Sequence, residues 1–130
     1  MNNNDCIRLS FPINPAYVSS ARLTVSSISN RIRLGVEETE DIKTAVSEAC
    51  IYIIRRAVAN VNSNFEICFM PGVGEISVEI TAQDNKGLQS IDEEEMGLMM
   101  IRALVDEFTI IKPEEGKILI TMVKRQKDNW

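Results

Sequence analysis

Histidine is absent from the 130-residue sequence, and this excludes Ser-His and Cys-His nucleophile pairs and any histidine-ligated metal centre. Cysteine is scarce and odd in number. Cys6, Cys50 and Cys68 stand far apart in apolar runs, so they read as reduced core thiols of a cytosolic protein. Positive charge is in deficit, with 14 Lys+Arg against 19 Asp+Glu and a net charge of −5. That balance argues against a nucleic-acid partner, because no basic stripe is present to neutralise phosphates. Arg31 and Arg33, and Arg55 and Arg56, come as two short pairs rather than a groove-sized patch. No apolar run is long enough to span a bilayer, and MNNNDCIRLS lacks the apolar core of a signal peptide. The expectation is a cytoplasmic chain with no membrane contact. Glycine is also sparse: there is no Gly-rich loop ending in Lys-Ser/Thr and no dinucleotide fingerprint.

What is present is an ordinary globular composition, 45% hydrophobic and 25% charged, in a chain long enough for one well-formed core. The expectation is a single domain over 1–130, with residues 125–130 (RQKDNW follows Lys124) as a frayed tail. CIRLSF (6–11) alternates Ile7, Leu9 and Phe11 and reads as a strand. Asn14 then serves as an N-cap with Pro15 at the first helical position. Val18, Ala21, Val25, Ile28 and Ile32 follow at spacings of 3, 4, 3 and 4, a stripe that ends near Gly35.

A second helix is expected over 37–59, with Glu37, Glu38, Glu40 and Asp41 at the end where the dipole favours negative charge. Its middle is apolar almost all round, which marks it as central. NVNSN (60–64) reads as a turn, FEICFM (65–70) as a strand, PGVG (71–74) as a hairpin loop and EISVEITA (75–82) as the cleanest strand. After QDNKG (83–87) comes a helix from about Glu94 to Asp106, packing through Leu98, Ile101, Leu104 and Val105. FTIIK (108–112), PEEG (113–116) and KILITMVK (117–124) form a terminal hairpin. Helices beside antiparallel strands give an α+β two-layer sandwich.

Taken singly, the local motifs are weak. Glu48 and Asp84 are candidate acid–base groups. The acidic run at 92–95 reads as a solvated helix start, and the five methionines after position 69 read as core filler.

Four stretches together carry more: ARLTVSSIS (21–29), EDIKTAVSEAC (40–50), EEMGLMMIRALVDEFTI (94–110) and PEEGKILITMVK (113–124). In this order they resemble the bacterial anti-sigma factor serine kinases, of the histidine-kinase-like ATPase superfamily. The resemblance implies a Bergerat-type sandwich, a mixed and mostly antiparallel sheet with about three helices on one face. It makes Glu48 the general base for transfer to a serine, Asp84 the adenine-binding aspartate, and Gly87 and Gly97 remnants of the nucleotide loops. The family's magnesium-ligating asparagine falls on Tyr52, and a neutral phenol is a poor ligand for a cation that demands compact octahedral oxygens. The adenine-loop glycines fall on Lys86 and Leu88, and the partner of Gly97 falls on Glu94 or Glu95, whose carboxylates repel a triphosphate. Only the nine residues 88–96 separate Gly87 from Gly97, where the family carries a longer lid.

The expectation is therefore a degenerate ATP site with no cofactor, and a Glu48 retained by pairing with Lys43 or Arg55. ATP and Mg²⁺ return if the chain is instead an active serine kinase acting on an anti-sigma factor antagonist. The resemblance further implies a homodimer supported by the first helix. It implies a sigma factor or antagonist protein as partner, with Arg22 as the sigma-contacting arginine. A scaffold subunit that heterodimerises with an active homologue is a third reading.

Overall fold

The computed structural model describes residues 5–57, 63–83, 91–114 and 116–127. Five strands form one sheet: β1 (Ile7–Pro12), β2 (Asn64–Gly72), β3 (Glu75–Gln83), β4 (Glu107–Ile111) and β5 (Lys117–Arg125), in the order β1-β2-β3-β5-β4. The resemblance implied a mixed, mostly antiparallel sheet; all four pairings here are antiparallel. Period-two alternation sets the register. Leu9, Ile67, Ile80, Ile120 and Ile110 form one row across the sheet, and Ile7, Phe69, Val78, Met122 and Phe108 form the next. A slip of one residue in any strand would turn its apolar set to water. The β2–β3 hairpin turns through Val73 and Gly74, and Gly74 takes the left-handed conformation (φ 69°) that costs glycine nothing.

The rows are covered by α1 (Val18–Arg31), α2 (Val36–Arg56) and α3 (Met96–Leu104), with α2 in the middle against both other helices, β3 and β5. Asn14 Oδ1 accepts from Ala16 N at 2.9 Å, so it caps the short 3-10 turn Pro15–Tyr17 that leads into α1. Ala21, Val25 and Ile28 of the expected stripe are buried. The helix ends earlier than Gly35. Arg33 is the left-handed residue (φ 62°), Leu34 N donates to Ser29 O, and the Leu34 side chain is buried. Gly35 instead opens α2. Its N–H donates to Gln126 Oε1 at 2.6 Å, and an added Cβ would run into the Glu38 carboxylate. Both helix ranges are shorter than the expected 37–59 and 94–106.

β5 runs through Arg125, and Gln126 N donates to the carbonyl of Gly74. Lys124, 5% exposed, donates to Asp41 Oδ2 of α2 (3.1 Å) and to the carbonyl of Leu104 (2.7 Å). That ammonium ties β5, α2 and the end of α3 together, and its charge is offset where burial would otherwise be costly. The expectation of three reduced core thiols is corrected. Cys6 and Cys68 form a disulfide with Cα atoms 6.1 Å apart, and only Cys50 is a free, buried thiol. Adjacent antiparallel strands bring together two residues that lie 62 apart in sequence, a proximity that spacing along the chain does not reveal. No helix among the described residues is long and apolar enough to cross a membrane.

Candidate functional site

The candidate site lies where α2 meets the start of α3. Ala45, Val46, Ala49, Cys50 and Ile53 are buried, which fixes the rotation of α2. That rotation leaves Glu48 half-buried at the edge of the covered face. Its Oε2 would stand 3.4 Å from a Cβ on Gly97, so the carboxylate faces the bare backbone of the first turn of α3. The sequence-expected pairing of Glu48 with Lys43 or Arg55 is corrected. Lys43 binds Glu40 at 2.9 Å, and Arg55 reaches across to Glu95 Oε1 at 3.2 Å. Lys43 lies five residues before Glu48, and Glu40 is a nearer neighbour on its own face. Glu48 has no hydrogen bond or ion pair among the described residues.

One turn on, Tyr52 is 3% exposed. Its hydroxyl accepts from Arg56 Nη1 at 3.3 Å, and the guanidinium carbon lies 5.8 Å from the ring centroid. Arg56 is itself buried. The acidic run is solvent-facing as expected, and two of its carboxylates make surface ion pairs: Glu95 with Arg55, and Glu93 with Arg102 at 2.9 Å. Asp92 Oδ1 accepts from the N–H of Glu94. Glu48 and Gly97 are thus brought together, with Tyr52 one turn further along α2. Asp84 and Gly87, with Lys86 and Leu88, lie outside the described residues. Arg22 stands exposed on α1, beside exposed Leu23. A cleft of about 420 Å³ lined by Asn64, Thr81, Gln83, Pro113 and Lys117 opens where β2 and β5 begin and β3 ends, and its described lining includes none of Glu48, Tyr52, Gly97 and Arg22.

Over residues 11–124 the sequence matches the histidine kinase-like ATPase domain. This chain belongs to the histidine kinase-like ATPase family. Among its ATPase-family relatives are serine-protein kinases RsbW. That of Oceanobacillus iheyensis is 33% identical, the match covering 85% of this chain and 81% of the relative. That of Bacillus cereus is 29% identical over 88% and 82%. Among solved structures, the RsbU and RsbW domains of Rv1364c from Mycobacterium tuberculosis superpose with a TM-score of 0.74 at 18% identity, over 94% of this chain and 32% of that one. The SiaB–SiaC complex from Pseudomonas aeruginosa gives 0.70 at 12% identity, over 90% and 88%. At such identities the two structures speak for the fold.

Within this ATPase-family domain, two groups escaped sequence reasoning. Arg56 had a usable signal, since Tyr52 and Arg56 stand at i and i+4 on one helix face. The Arg55–Glu95 bridge had none, because its partners are 40 residues apart.

Proposed function

We propose that this chain is an anti-sigma-factor-like transcription regulator that binds a sigma factor or partner-switch protein and works without ATP-dependent catalysis. The kinship with RsbW serine-protein kinases supports the regulatory half. A chain of the same fold in the SiaB–SiaC complex supports protein binding as a use of this architecture. The homodimer and the cytoplasmic location belong to the same proposal.

The observation that carries the non-catalytic half is the Tyr52–Arg56 pair. Magnesium binds through small, negatively polarised oxygens in octahedral array. Here the oxygen at the family's ligand position belongs to a buried phenol and already accepts from a guanidinium, whose positive charge opposes a nearby dication. The carboxylates of Glu93, Glu94 and Glu95 precede α3 at the place where a triphosphate would need N–H donors. These side chains do not fit Mg–ATP. One observation favours the alternative, an active serine kinase: Glu48 is half-exposed, lacks a described partner and faces Gly97.

Calorimetric titration with ATP and magnesium decides between them. The expected result is no saturable heat up to millimolar nucleotide, together with unchanged capture of a sigma factor or antagonist from native cytosol when ATP is added. Micromolar, magnesium-dependent binding restores the kinase.

Arg22→Ala tests the partner surface. Arginine at an interface centre contributes through several directed bonds, so capture of the sigma factor should weaken about 10- to 30-fold, or about 1.4–2 kcal/mol. Arg22 is exposed and carries no described interaction, so the thermal midpoint should not move. Equal capture by the mutant would show that the contact lies elsewhere.

A further inference from the structure

The expectation that the methionines fill the core fails on α3. Leu98 and Ile101 are fully buried, yet Met96, Met99 and Met100 are 76%, 54% and 38% exposed. With exposed Ala103 they fall at i, i+3, i+4 and i+7, a continuous apolar stripe on the outer side of the helix. Methionine side chains are flexible and polarizable, and they adapt to partners of different contour.

The border of the stripe is acidic. Glu93 and Glu95 are neutralised by Arg102 and Arg55. Asp92, Glu94 and Glu48 have no cationic partner among the described residues. The negative border excludes nucleic acid and anionic lipid as occupants. A second copy, with net charge −5, would set this acidic rim against another acidic surface. What complements the stripe is an apolar face edged with lysine or arginine.

We infer that the outer face of α3 is a docking surface for a basic amphipathic helical segment of a partner protein. The segment's apolar side chains seat on Met96, Met99 and Met100, and its cations meet Glu94 and Glu48. The inference rests on the partner-binding reading above and adds to the Arg22 contact a second face, on α3, with the chemistry that it takes.

Titrating the protein, labelled with ¹³C at its methionine methyls, with a helical Leu/Lys peptide tests this. The Met96, Met99 and Met100 signals should move while buried Met122 stays in place, and a Leu/Glu peptide of the same length should move none of them. Met99→Lys and Glu94→Lys should each weaken binding about tenfold. Glu114→Lys, the same charge change at the β4–β5 turn, should leave it unchanged. Thermal midpoints of the variants confirm that each is folded. No shift with the Leu/Lys peptide, equal shifts with the Leu/Glu peptide, or equal loss in Glu114→Lys overturns the docking surface. Shifts that appear on concentration without peptide overturn it in favour of a second copy. If the peptide binds but cytosol yields no sigma factor or antagonist, the partner assignment falls and the surface stands. Capture that Met99→Lys and Glu94→Lys leave untouched removes the surface alone.

Discussion

Tyr52→Ala is expected to lower the unfolding free energy by about 3–5 kcal/mol, the range for emptying a large aromatic site in a packed core. The ring is 3% exposed and belongs to the central cluster that includes Ile42, Val46, Ile53 and Leu98. Removing it leaves a cavity that the neighbouring helix cannot close without moving α2, and it also strips Arg56 of its hydroxyl acceptor. Tyr52→Phe separates these effects. It keeps the volume and gives up one hydrogen bond, for a loss of about 1 kcal/mol. Urea unfolding of the three proteins reads both numbers. Repeating the series with Mg–ATP should leave every midpoint in place, since a ligand stabilises only the state it binds. If Tyr52→Ala costs no more than Tyr52→Phe, the ring is not part of the core and the volume ascribed to it is open. The objection that a buried phenol stands at the family's magnesium position would then go with it.

The elements that were legible from sequence are those whose signal is local. Ile76, Val78, Ile80 and Ala82 alternate without interruption and lie buried in β3, and Asn14-Pro15 marks the start of its helical turn. The packing face of α3 was legible in the same way: Leu98 and Ile101 are fully buried, and Leu104 and Val105 pack against the core. What failed was the reading of the methionines, because residue type marks Met96, Met99 and Met100 as apolar and does not show that they lie on the outer side of the helix. Pairings between distant residues were also hidden. Cys6–Cys68, Arg55–Glu95 and Lys124–Asp41 span 62, 40 and 83 residues, and the pairing of β1 with β2, the packing of α3 on α2 and the contact of α2 with β5 bring them together. At the candidate site, the helical spacing of Glu48 and Tyr52 was legible and their surroundings were not. A helix read as apolar almost all round left Glu48 half in water, while the ring one turn away went inside with Arg56 buried beside it.

Alkaline pH should expose the cost of ionising Cys50. Burial in α2, with no exposed surface, pushes its thiol from 9.0 up to about 12. The thiolate is the charged form, and an apolar surround disfavours it. Once unfolded, the chain releases this proton near pH 9, while the folded chain keeps it to about pH 12. The folded state therefore binds more protons in that window, and stability must fall as pH rises. The contribution is intact below pH 9 and is lost at about 1.4 kcal/mol per pH unit, or about 4 kcal/mol in all by pH 12. Cys50→Ala removes this slope while leaving the other alkaline titrations in place, so the difference between the two proteins isolates the thiol. The measurement belongs in a Cys6→Ser, Cys68→Ser background, where a thiolate released on unfolding finds no disulfide to attack. Urea midpoints from pH 8 upward should converge as the parent loses its excess. Parallel curves would mean that Cys50 meets water in the folded state and that the seam of α2 is looser than its burial indicates.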